Sequence, residues 1–592
     1  MRLTPLDWFI VVLSILVSFA PAVFLARRAG SSTVEFFTSG RSAPWWLIGV
    51  SMVATTFSTD TPNLVTNLIR ERGVANNWLW WAFLLTGMAT VFFYARLWRR
   101  SGVLTDLEFY ELRYSGKAAS AVRGFRAVYL GLFFNCIIMA TVNLAAAKIA
   151  NVLLGWPLGK TLLICAILNV AFAATSGLWG VLVTDFIQFG IAMTGSVAAA
   201  VYALRQPEVG GLSGLVSRID PATLALLPDF GNWPLTLSVL VIPLTVQWWS
   251  VWYPGAEPGG GSYIAQRMLA AKSERDALGG TLLFNVAHYA LRSWPWIIVA
   301  LASILVYPTL DDIARTFPHV DPKLIGHDMA YSAMLRFLPA GMLGLMVAGL
   351  LSAYVSTIST HLNWGTSYLI HDVYRRFLRP GASERHYVMM SRLTTALLMV
   401  VAALFTTQLD TASGAFQLLL SIGAGTGLLY LLRWFWWRIN AFSEIAAMAS
   451  SFLVALAFYL ARRGGGGVAE HEALLLTVAI TTVVWVSVTL LTRPTDRGRL
   501  IEFYRKVRPA GPGWRPVAAE AGVGGSPDSM AGALLGWVLG CAFVYAALFG
   551  TGSFIYGRTA QGMMWLAVFV ISGVGLLRLL PRLWAGSGAE GT

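Results

Sequence analysis

Long apolar stretches alternate with short polar ones along nearly the whole chain. A helix needs about 20 apolar residues to cross a hydrocarbon core of roughly 30 Å, and about fifteen stretches meet that length. This pattern predicts an all-α polytopic membrane protein, because only helices and closed barrels satisfy their backbone polar groups in lipid. In chain order the stretches lie near residues 7–26, 44–69, 77–98, 125–150, 157–176, 180–204, 236–257, 279–307, 341–371, 389–407, 412–432, 440–461, 472–492, 531–550 and 559–580.

The first stretch has the hydrophobicity of a signal peptide but almost no basic residues in front of it. Arg27 and Arg28 follow it directly. This arrangement is more typical of a retained transmembrane helix than of a cleaved leader.

Two predicted spans contain helix breakers near their middle. The second span has Asp60 and Pro62 beside a run of hydroxyl residues, and proline removes a backbone hydrogen bond from a helix. The seventh span runs into "YPGAEPGGG", which no continuous helix survives. One interpretation ends this helix at the membrane surface near Tyr253. The other places the break inside the membrane, with "SYIAQRMLAA" as a second half-helix.

The two interruptions lie five spans apart, as two five-helix repeats of opposite topology would place them. Irregular backbone inside a membrane is tolerated where it lines a cavity, and paired interruptions indicate the binding site of a transporter. The predicted organisation is a leading helix in 1–40, a first inverted repeat in 41–205, a second in 206–440, and additional C-terminal helices in 441–592 with a cytoplasmic loop near 493–530.

The ninth span carries a polar run, "LSAYVSTISTHLNWGTS". Ala353, Ser356, Thr357 and Thr360 follow the spacing i, i+3, i+4, i+7 and therefore share one helix face. Ser356 lies at the centre of its span, and residues 54–57 lie near the centre of the second span, so we expect both to meet at the midplane. Hydroxyls facing the free carbonyls of a broken helix suit a small hard cation. The simpler alternative is that these hydroxyls bond back to their own helix or join neighbouring helices.

Composition and charge agree with a membrane protein. The chain is 56% hydrophobic and 12% charged, with a mean hydropathy of +0.64. Most Lys and Arg residues fall in the even-numbered connections and the C-terminal tail, which predicts an outside N-terminus and a cytoplasmic C-terminus in the plasma membrane. The net charge of +14 is spread over loops rather than gathered in a soluble basic domain, so we expect lipid and not nucleic acid as its partner.

The three cysteines fall within predicted spans and form no CxxC pair. We interpret Cys136, Cys165 and Cys541 as packing residues.

Three segments resemble signatures of the sodium/solute symporter family, to which sodium-coupled sugar, proline and sialic acid carriers belong. They are "GVLVTDFIQ", "YIAQRMLAAKS" and "VSTISTHLNWGTSYLIHDVY", in that order. The resemblance runs from the second span to about residue 440. It implies a leucine-transporter-like fold, in which two inverted five-helix repeats each contain a broken helix.

The resemblance also implies sodium as the coupling ion. The implied ligands of a central sodium are carbonyls of two positions on the second span and hydroxyls or a carbonyl on the ninth span: Ala54, Phe57, Ala353, Ser356 and Thr357. Some members carry a second sodium at positions matching Asp185, Ser359 and Thr360. Because Phe186 stands where such members can place a hydroxyl, the sodium stoichiometry stays open.

The solute is implied to lie beside the sodium, between the two broken helices. The candidate solute-binding residues are Asp60, Thr61, Gln247, Trp248, Trp252, Arg292 and Gln417. Arg292 replaces a lysine of sugar carriers, and a guanidinium can bind a carboxylate bidentately. It therefore favours a carboxylate-bearing solute, whereas the tryptophans and Gln417 leave a sugar open. The structural alternative for Arg292 is an ion pair with Asp60 or Glu257.

The sequence thus predicts a sodium-coupled symporter that imports a small polar organic solute by alternating access, and not an enzyme. One alternative is a non-transporting sensor on the same fold, although the tail ends at Thr592 without an evident signalling domain. Another is a polytopic transferase, which would need acid/base residues clustered at the membrane interface, whereas His288, His361 and His371 are scattered. Because Asp60 and Asp185 are titratable, proton coupling is also left open.

Overall fold

The computed structural model describes residues 3–29, 32–250, 257–320, 322, 325–408, 423, 425–463 and 466–585. Helices dominate this part of the chain. Its one recorded β pairing is an isolated bridge between Ala43 and Ala271.

Ten helices within the described residues are long and apolar enough to cross a membrane, and four shorter apolar helices accompany them. Here the helices used below are numbered α1 Pro5–Ala29, α2 Trp45–Thr56, α3 Asp60–Arg72, α4 Val74–Ser101, α5 Gly116–Leu154, α6 Leu158–Ala173, α7 Gly177–Leu204, α8 Trp233–Thr245, α9 Ser262–Ala270, α10 Glu274–Val306, α11 Met342–Leu378, α12 Glu384–Thr406, α13 Ala441–Arg462, α14 His471–Leu491, α15 Met530–Ile555 and α16 Thr559–Leu583.

These helices overlap the predicted spans wherever the structure describes the chain. The predicted span at 412–432 lies mostly outside the described residues. The total of about fifteen spans and the inverted relation of the two repeats therefore stay predictions, while an all-helical membrane architecture is confirmed.

The predicted interruption in the second span is present. α2 ends at Thr56, Phe57 has non-helical backbone angles (φ −88°, ψ 76°), and α3 begins at Asp60. Pro62 falls in the first turn of α3, where a helix has no partner for the backbone N–H in any case. The proline therefore permits the new helix to start at the place where the old one stops.

The seventh span is also interrupted, and "SYIAQRMLAA" contains a separate helix, whereas the position of the break inside the membrane stays a prediction. α8 ends at Thr245, and the wholly buried nine-residue helix α9 begins at Ser262. Gly259 and Gly260 both have positive φ angles, near +80°, which side chains with a Cβ rarely adopt. The Asp106 carboxylate accepts a hydrogen bond from the Ser262 backbone N–H at 2.9 Å and so fixes the first turn of α9.

α11 lies at the centre of the bundle and packs against α1, α2, α7 and α12. Its contact with α7 is close because glycines face the partner helix. A Cβ added at Gly349 would lie 3.1 Å from the Ala192 Cα, and one at Gly195 would lie 3.0 Å from the Met346 sulfur. Small residues at such crossings let two membrane helices approach closely. This packing brings Asp185 on α7 next to the polar run of α11.

The loops at residues 96–126 and 493–530 lie at one end of the bundle, called the basic end here. The short helix Glu108–Arg113 in the first loop contacts α11 because Glu108 accepts a hydrogen bond from His371 Nε2 of that helix at 2.5 Å. Within the loop, Glu108 also accepts a hydrogen bond from the Leu104 N–H at 2.8 Å. Burial disfavours the ionised form of Glu108, but His371, the Leu104 N–H and Arg123 together outweigh it and lower the pKa of Glu108 to about 2. Glu108 therefore remains a carboxylate at neutral pH and anchors the loop.

Candidate functional site

The C-terminal end of α2 meets the polar run of α11 inside the bundle. Thr357 Oγ1 donates to the Thr55 carbonyl oxygen at 2.7 Å across the two helices, and to the Ala353 carbonyl at 3.0 Å within α11. The Ala54 carbonyl accepts the hydrogen bond of the Phe57 N–H at 3.0 Å that closes the helix end. A carbonyl oxygen has two lone pairs, so it can accept a further partner.

The two hydroxyls of α11 direct their protons differently, Ser356 away from this helix end and Thr357 toward its Thr55 carbonyl. Ser356 Oγ donates to Asp185 Oδ1 at 2.6 Å, and Thr357 donates to carbonyls as described above. Both oxygens therefore keep lone pairs that can bind a cation. Ser356 and Thr357 are buried, at 1% and 0% exposure, where an oxygen cage would replace the water shell of an ion.

Asp185 forms a second polar cluster beside this site. Its carboxylate accepts hydrogen bonds from Ser51 at 2.5 Å and Ser356 at 2.6 Å. The Arg267 guanidinium of α9 lies 3.7 Å from Asp185 Oδ2 and donates to Ser51 Oγ at 3.2 Å. It also donates to Thr360 Oγ1 at 2.8 Å. A protein cation thus already balances the carboxylate expected to help bind a second sodium.

The other residues of that expected second site are divided. Thr360 joins the cluster through Arg267 and through Thr55 Oγ1 at 3.1 Å. Ser359 instead donates to the Ser356 carbonyl of its own helix at 3.2 Å. Phe186 is half-exposed and packs edge-on against Trp46, away from the cluster.

Arg292 and His288 lie one turn apart on α10 and bind the end of α2 from the opposite side. Arg292 Nη1 donates to Thr56 Oγ1 at 3.1 Å, and its Nη2 lies 2.6 Å from His288 Nδ1. The same His288 nitrogen lies 2.9 Å from Thr56 Oγ1. Glu257, one of the two acids considered as an ion-pair partner of Arg292, binds Arg126 and Arg433 instead.

A small cavity of about 40 Å³, with room for a few water molecules, lies beside the breaks in the two interrupted spans. Residues of α4 and α10 form the rest of its wall. The surface of this cavity is mainly apolar and carries a few hydrogen-bonding groups, as is typical of small-molecule sites. Its polar lining residues are Thr56, Thr86, Thr90, Glu257, Tyr263, Thr281, Asn285, His288 and Tyr289. A sugar or amino acid is larger than this space, so its binding requires the surrounding helices or side chains to move apart.

The remaining candidate solute residues lie around the breaks but make different contacts. Thr61 Oγ1 donates to the Thr56 carbonyl at 3.3 Å, and Asp60 opens α3. Gln247 donates to the Leu79 carbonyl at 3.0 Å, and Trp248 packs against Trp537 of α15. Two further candidates, Trp252 and Gln417, lie outside the described residues.

The sequence profile of the Sodium:solute symporter family matches residues 36–452 of this chain. The chain belongs to the sodium:solute symporter family. This symporter is 25% identical over 454 residues to a sodium/glucose cotransporter of Vibrio parahaemolyticus, a match that covers 72% of this chain and 79% of that protein. It is 24% identical over 548 residues to sodium/glucose cotransporter 4 of Danio rerio, covering 84% of this chain and 80% of the relative.

A solved structure of a Na⁺-coupled sialic acid symporter in a substrate-bound outward-open state shares the fold. The TM-score is 0.64 at 17% identity, and the match covers 83% of this chain and 99% of that one. The matched proteins are transporters, so the transferase alternative is set aside.

The structure adds three residues that sequence reasoning did not assign to the site of this symporter. Arg267 joins the Asp185 cluster, His288 links Arg292 to Thr56, and Trp80 stacks on Tyr289 with ring centroids 5.7 Å apart. Arg267 was visible within "YIAQRMLAAKS", and the i, i+4 spacing of His288 and Arg292 placed both on one helix face. Neither pattern revealed which partner helix that face meets.

Proposed function

We propose that this protein is a sodium-coupled symporter that imports a small carboxylate-bearing solute across the plasma membrane by alternating access. The proposed coupling ion binds where α2 ends, held by the carbonyls of Ala54, Phe57 and Ala353 and the hydroxyls of Ser356 and Thr357. The proposed orientation has the N-terminus outside and the basic end in the cytoplasm, in keeping with the positive-inside rule.

One observation carries the proposed ion site: the interrupted second span faces the hydroxyls of α11, with Thr357 Oγ1 2.7 Å from the Thr55 carbonyl. A continuous helix would use the Ala54 and Phe57 carbonyls for its own hydrogen bonds. The interruption lets them accept a further partner at a buried position, next to the Ser356 hydroxyl, whose proton points to Asp185. That combination supports the binding of a hard cation without a water shell.

The solute class is inferred from α10. An ionisable residue inside a membrane helix is usually functional, and the buried Arg292 lies at the proposed solute site together with His288. Both groups can donate hydrogen bonds to a carboxylate, and the guanidinium does so bidentately. A sugar is the alternative solute, supported by the sodium/glucose cotransporters among the relatives.

The proposed cycle begins when sodium and solute bind from outside. Sodium holds the end of α2 in the shape that accepts the solute, and the doubly loaded carrier then opens toward the basic end. Each sodium that enters across 100 mV contributes about 2.3 kcal/mol to accumulation of the solute.

The central test is sodium-dependent uptake in proteoliposomes by the wild type and by Ser356→Ala and Thr357→Ala. Each alanine removes one proposed ligand, so we expect the sodium concentration for half-maximal uptake to rise about tenfold, equal to about 1.4 kcal/mol of binding energy.

Ser367→Ala is the matched control for these variants. Ser367 is buried on the same helix, but its hydroxyl donates to the Trp364 carbonyl within α11 at 2.7 Å. We expect wild-type sodium dependence in this control. An unchanged sodium dependence in both Ser356→Ala and Thr357→Ala would overturn the proposed ion site.

A further inference from the structure

Glu257 connects the cavity to a buried group of charged side chains. It lines the cavity wall, and its carboxylate accepts hydrogen bonds from Arg126 Nη2 at 3.1 and 2.9 Å and from Arg433 Nη2 at 3.2 Å. The three side chains are only 2–3% exposed. The two guanidiniums reach Glu257 from different elements, Arg126 from α5 and Arg433 from the residue that follows the helical segment 425–432.

The network continues from Glu257 toward the basic end. Arg433 Nη1 donates to the Tyr110 hydroxyl at 2.7 Å and lies 3.7 Å from Glu444 at the start of α13. Tyr114 in turn donates to Glu444 at 2.8 Å. Tyr110 and Tyr114 belong to the loop region at the basic end. Among the described residues, this layer of paired charges and rings therefore lies between the cavity and that end.

The backbone after Glu257 is shaped so that its carboxylate folds back over the cavity. The Gly260 N–H donates to the Glu257 carbonyl at 2.8 Å, which closes a tight turn. A Cβ added at Gly261 would lie 2.4 Å from Glu257 Oε2, so any larger residue there would displace the carboxylate. This glycine-rich turn belongs to the stretch "YPGAEPGGG".

We infer that Glu257 is the gating residue that closes the cavity toward the basic end, and that transport requires the Arg126–Glu257 ion pair to break. This inference rests on the proposed carrier function. Arg126 lies in the first predicted repeat and Glu257 in the second, so their ion pair joins the two units that alternating access moves against each other. Opening the cavity toward this end must separate these two charges, whereas opening it toward the other end leaves them together.

The test measures access to the cavity from each side of the membrane. The parent for this test is Thr86→Cys, which places a thiol on the cavity wall. A membrane-impermeant thiol reagent is applied to sealed vesicles of either orientation, without sodium or solute. The labelling rate of the three native cysteines alone is subtracted. We expect Glu257→Gln to raise the labelling rate from the basic end at least fivefold and to lower it from the opposite end.

Glu274→Gln is the matched control. Glu274 is also a paired carboxylate at the basic end, bound to Arg100 at 2.8 Å, but it does not line the cavity. We expect this variant to label like the parent. A merely structural role for Glu257 would leave the ratio of labelling from the two sides unchanged, and that result would overturn the inference.

A second variant covers the case in which Glu257→Gln does not fold because it leaves two guanidiniums facing a neutral amide. The double variant Glu257→Gln/Arg126→Gln removes one charge of each sign, and we expect the same bias toward the basic end. Sodium-dependent uptake by the wild type, which keeps Thr86, separates the two proposals. If uptake depends on sodium but Glu257→Gln does not change the labelling, the symport proposal stands and the gating role of Glu257 is wrong. If the labelling changes but no sodium-dependent uptake is found, the gating role stands and the symport proposal is wrong.

Discussion

Buried charge at the site is compensated residue by residue. Asp185 and Arg267 are 1% and 0% exposed, so both are shielded from bulk solvent. A buried charge is tolerated when it is paired and hydrogen-bonded, and Ser51, Ser356 and Thr360 supply the additional hydrogen bonds here. A sodium ion that binds to Asp185 must therefore share the carboxylate with a guanidinium.

Removing one partner of this pair is expected to cost more stability than removing both. Asp185→Asn and Arg267→Gln each leave one uncompensated buried charge, which costs about 3–5 kcal/mol in comparable pairs. The double variant leaves two neutral amides, so we expect it to melt at a higher temperature than either single variant. Thermal unfolding in one detergent measures the three melting temperatures.

The exposed pair Arg497 and Glu520 provides the comparison, with side chains 35% and 53% exposed. Surface pairs contribute about 0–1 kcal/mol, so we expect little change from Glu520→Gln. If the double variant at Asp185 and Arg267 lost as much stability as the two single variants together, the two charges would not be coupled.

Arg292 tests the solute class at the same scale. Arg292→Lys keeps a positive charge but replaces a planar group that reaches both Thr56 and His288 with a single ammonium. We expect the solute concentration for half-maximal uptake to rise about tenfold, equal to about 1.4 kcal/mol, if the solute is held by a bidentate contact.

The control for this substitution is Arg336→Lys. Arg336 is exposed, lies over the rings of Phe317 and Phe337, and does not line the cavity. Uptake kinetics with the preferred solute measure both variants. Wild-type uptake by Arg292→Lys would return Arg292 to a structural role.

At the scale of helices, local chemistry was sufficient to predict where the chain stops being helical. Pro62 and its hydroxyl neighbours predicted the break between α2 and α3, and the prolines and glycines after Tyr253 predicted a break before α9. These signals lie within a few residues of the feature that they predict, and so they survive without tertiary information.

The contacts between helices were beyond the same reasoning. Gly87 on α4 leaves room for Asn285 on α10, because an added Cβ would lie 1.8 Å from the Asn285 Oδ1. Glu257 forms ion pairs with Arg126 and Arg433, both more than a hundred positions away in the chain. Such pairings depend on how whole helices pack, and a single sequence shows neither partner. The periodicity of α11 predicted which of its residues share a face but not that Arg267 would be among its neighbours.

At the scale of the whole molecule, sodium can drive uptake only if it binds the solute-accepting conformation better than the others. The α2 end is the element that joins the two ligands, since α11 contacts it through Thr357 on the proposed sodium side and α10 contacts it through Arg292 on the proposed solute side. When one ligand orders the end of α2, the other ligand binds with a smaller loss of conformational entropy. The two binding events are therefore expected to be coupled.

This coupling predicts that the true solute stabilises the purified protein in NaCl and far less in KCl of equal concentration. A ligand at 100 times its dissociation constant stabilises the folded state by about 2.7 kcal/mol, which a thermal-shift screen of carboxylates and sugars detects as a higher melting temperature. Linkage also requires reciprocity, so the factor by which sodium raises solute affinity equals the factor by which solute raises sodium affinity. In Ser356→Ala/Thr357→Ala the difference between NaCl and KCl should shrink while the stabilisation in KCl stays the same, because only the proposed ion ligands are lost. Equal stabilisation by the solute in both salts would contradict sodium coupling, even if the solute itself were correctly identified.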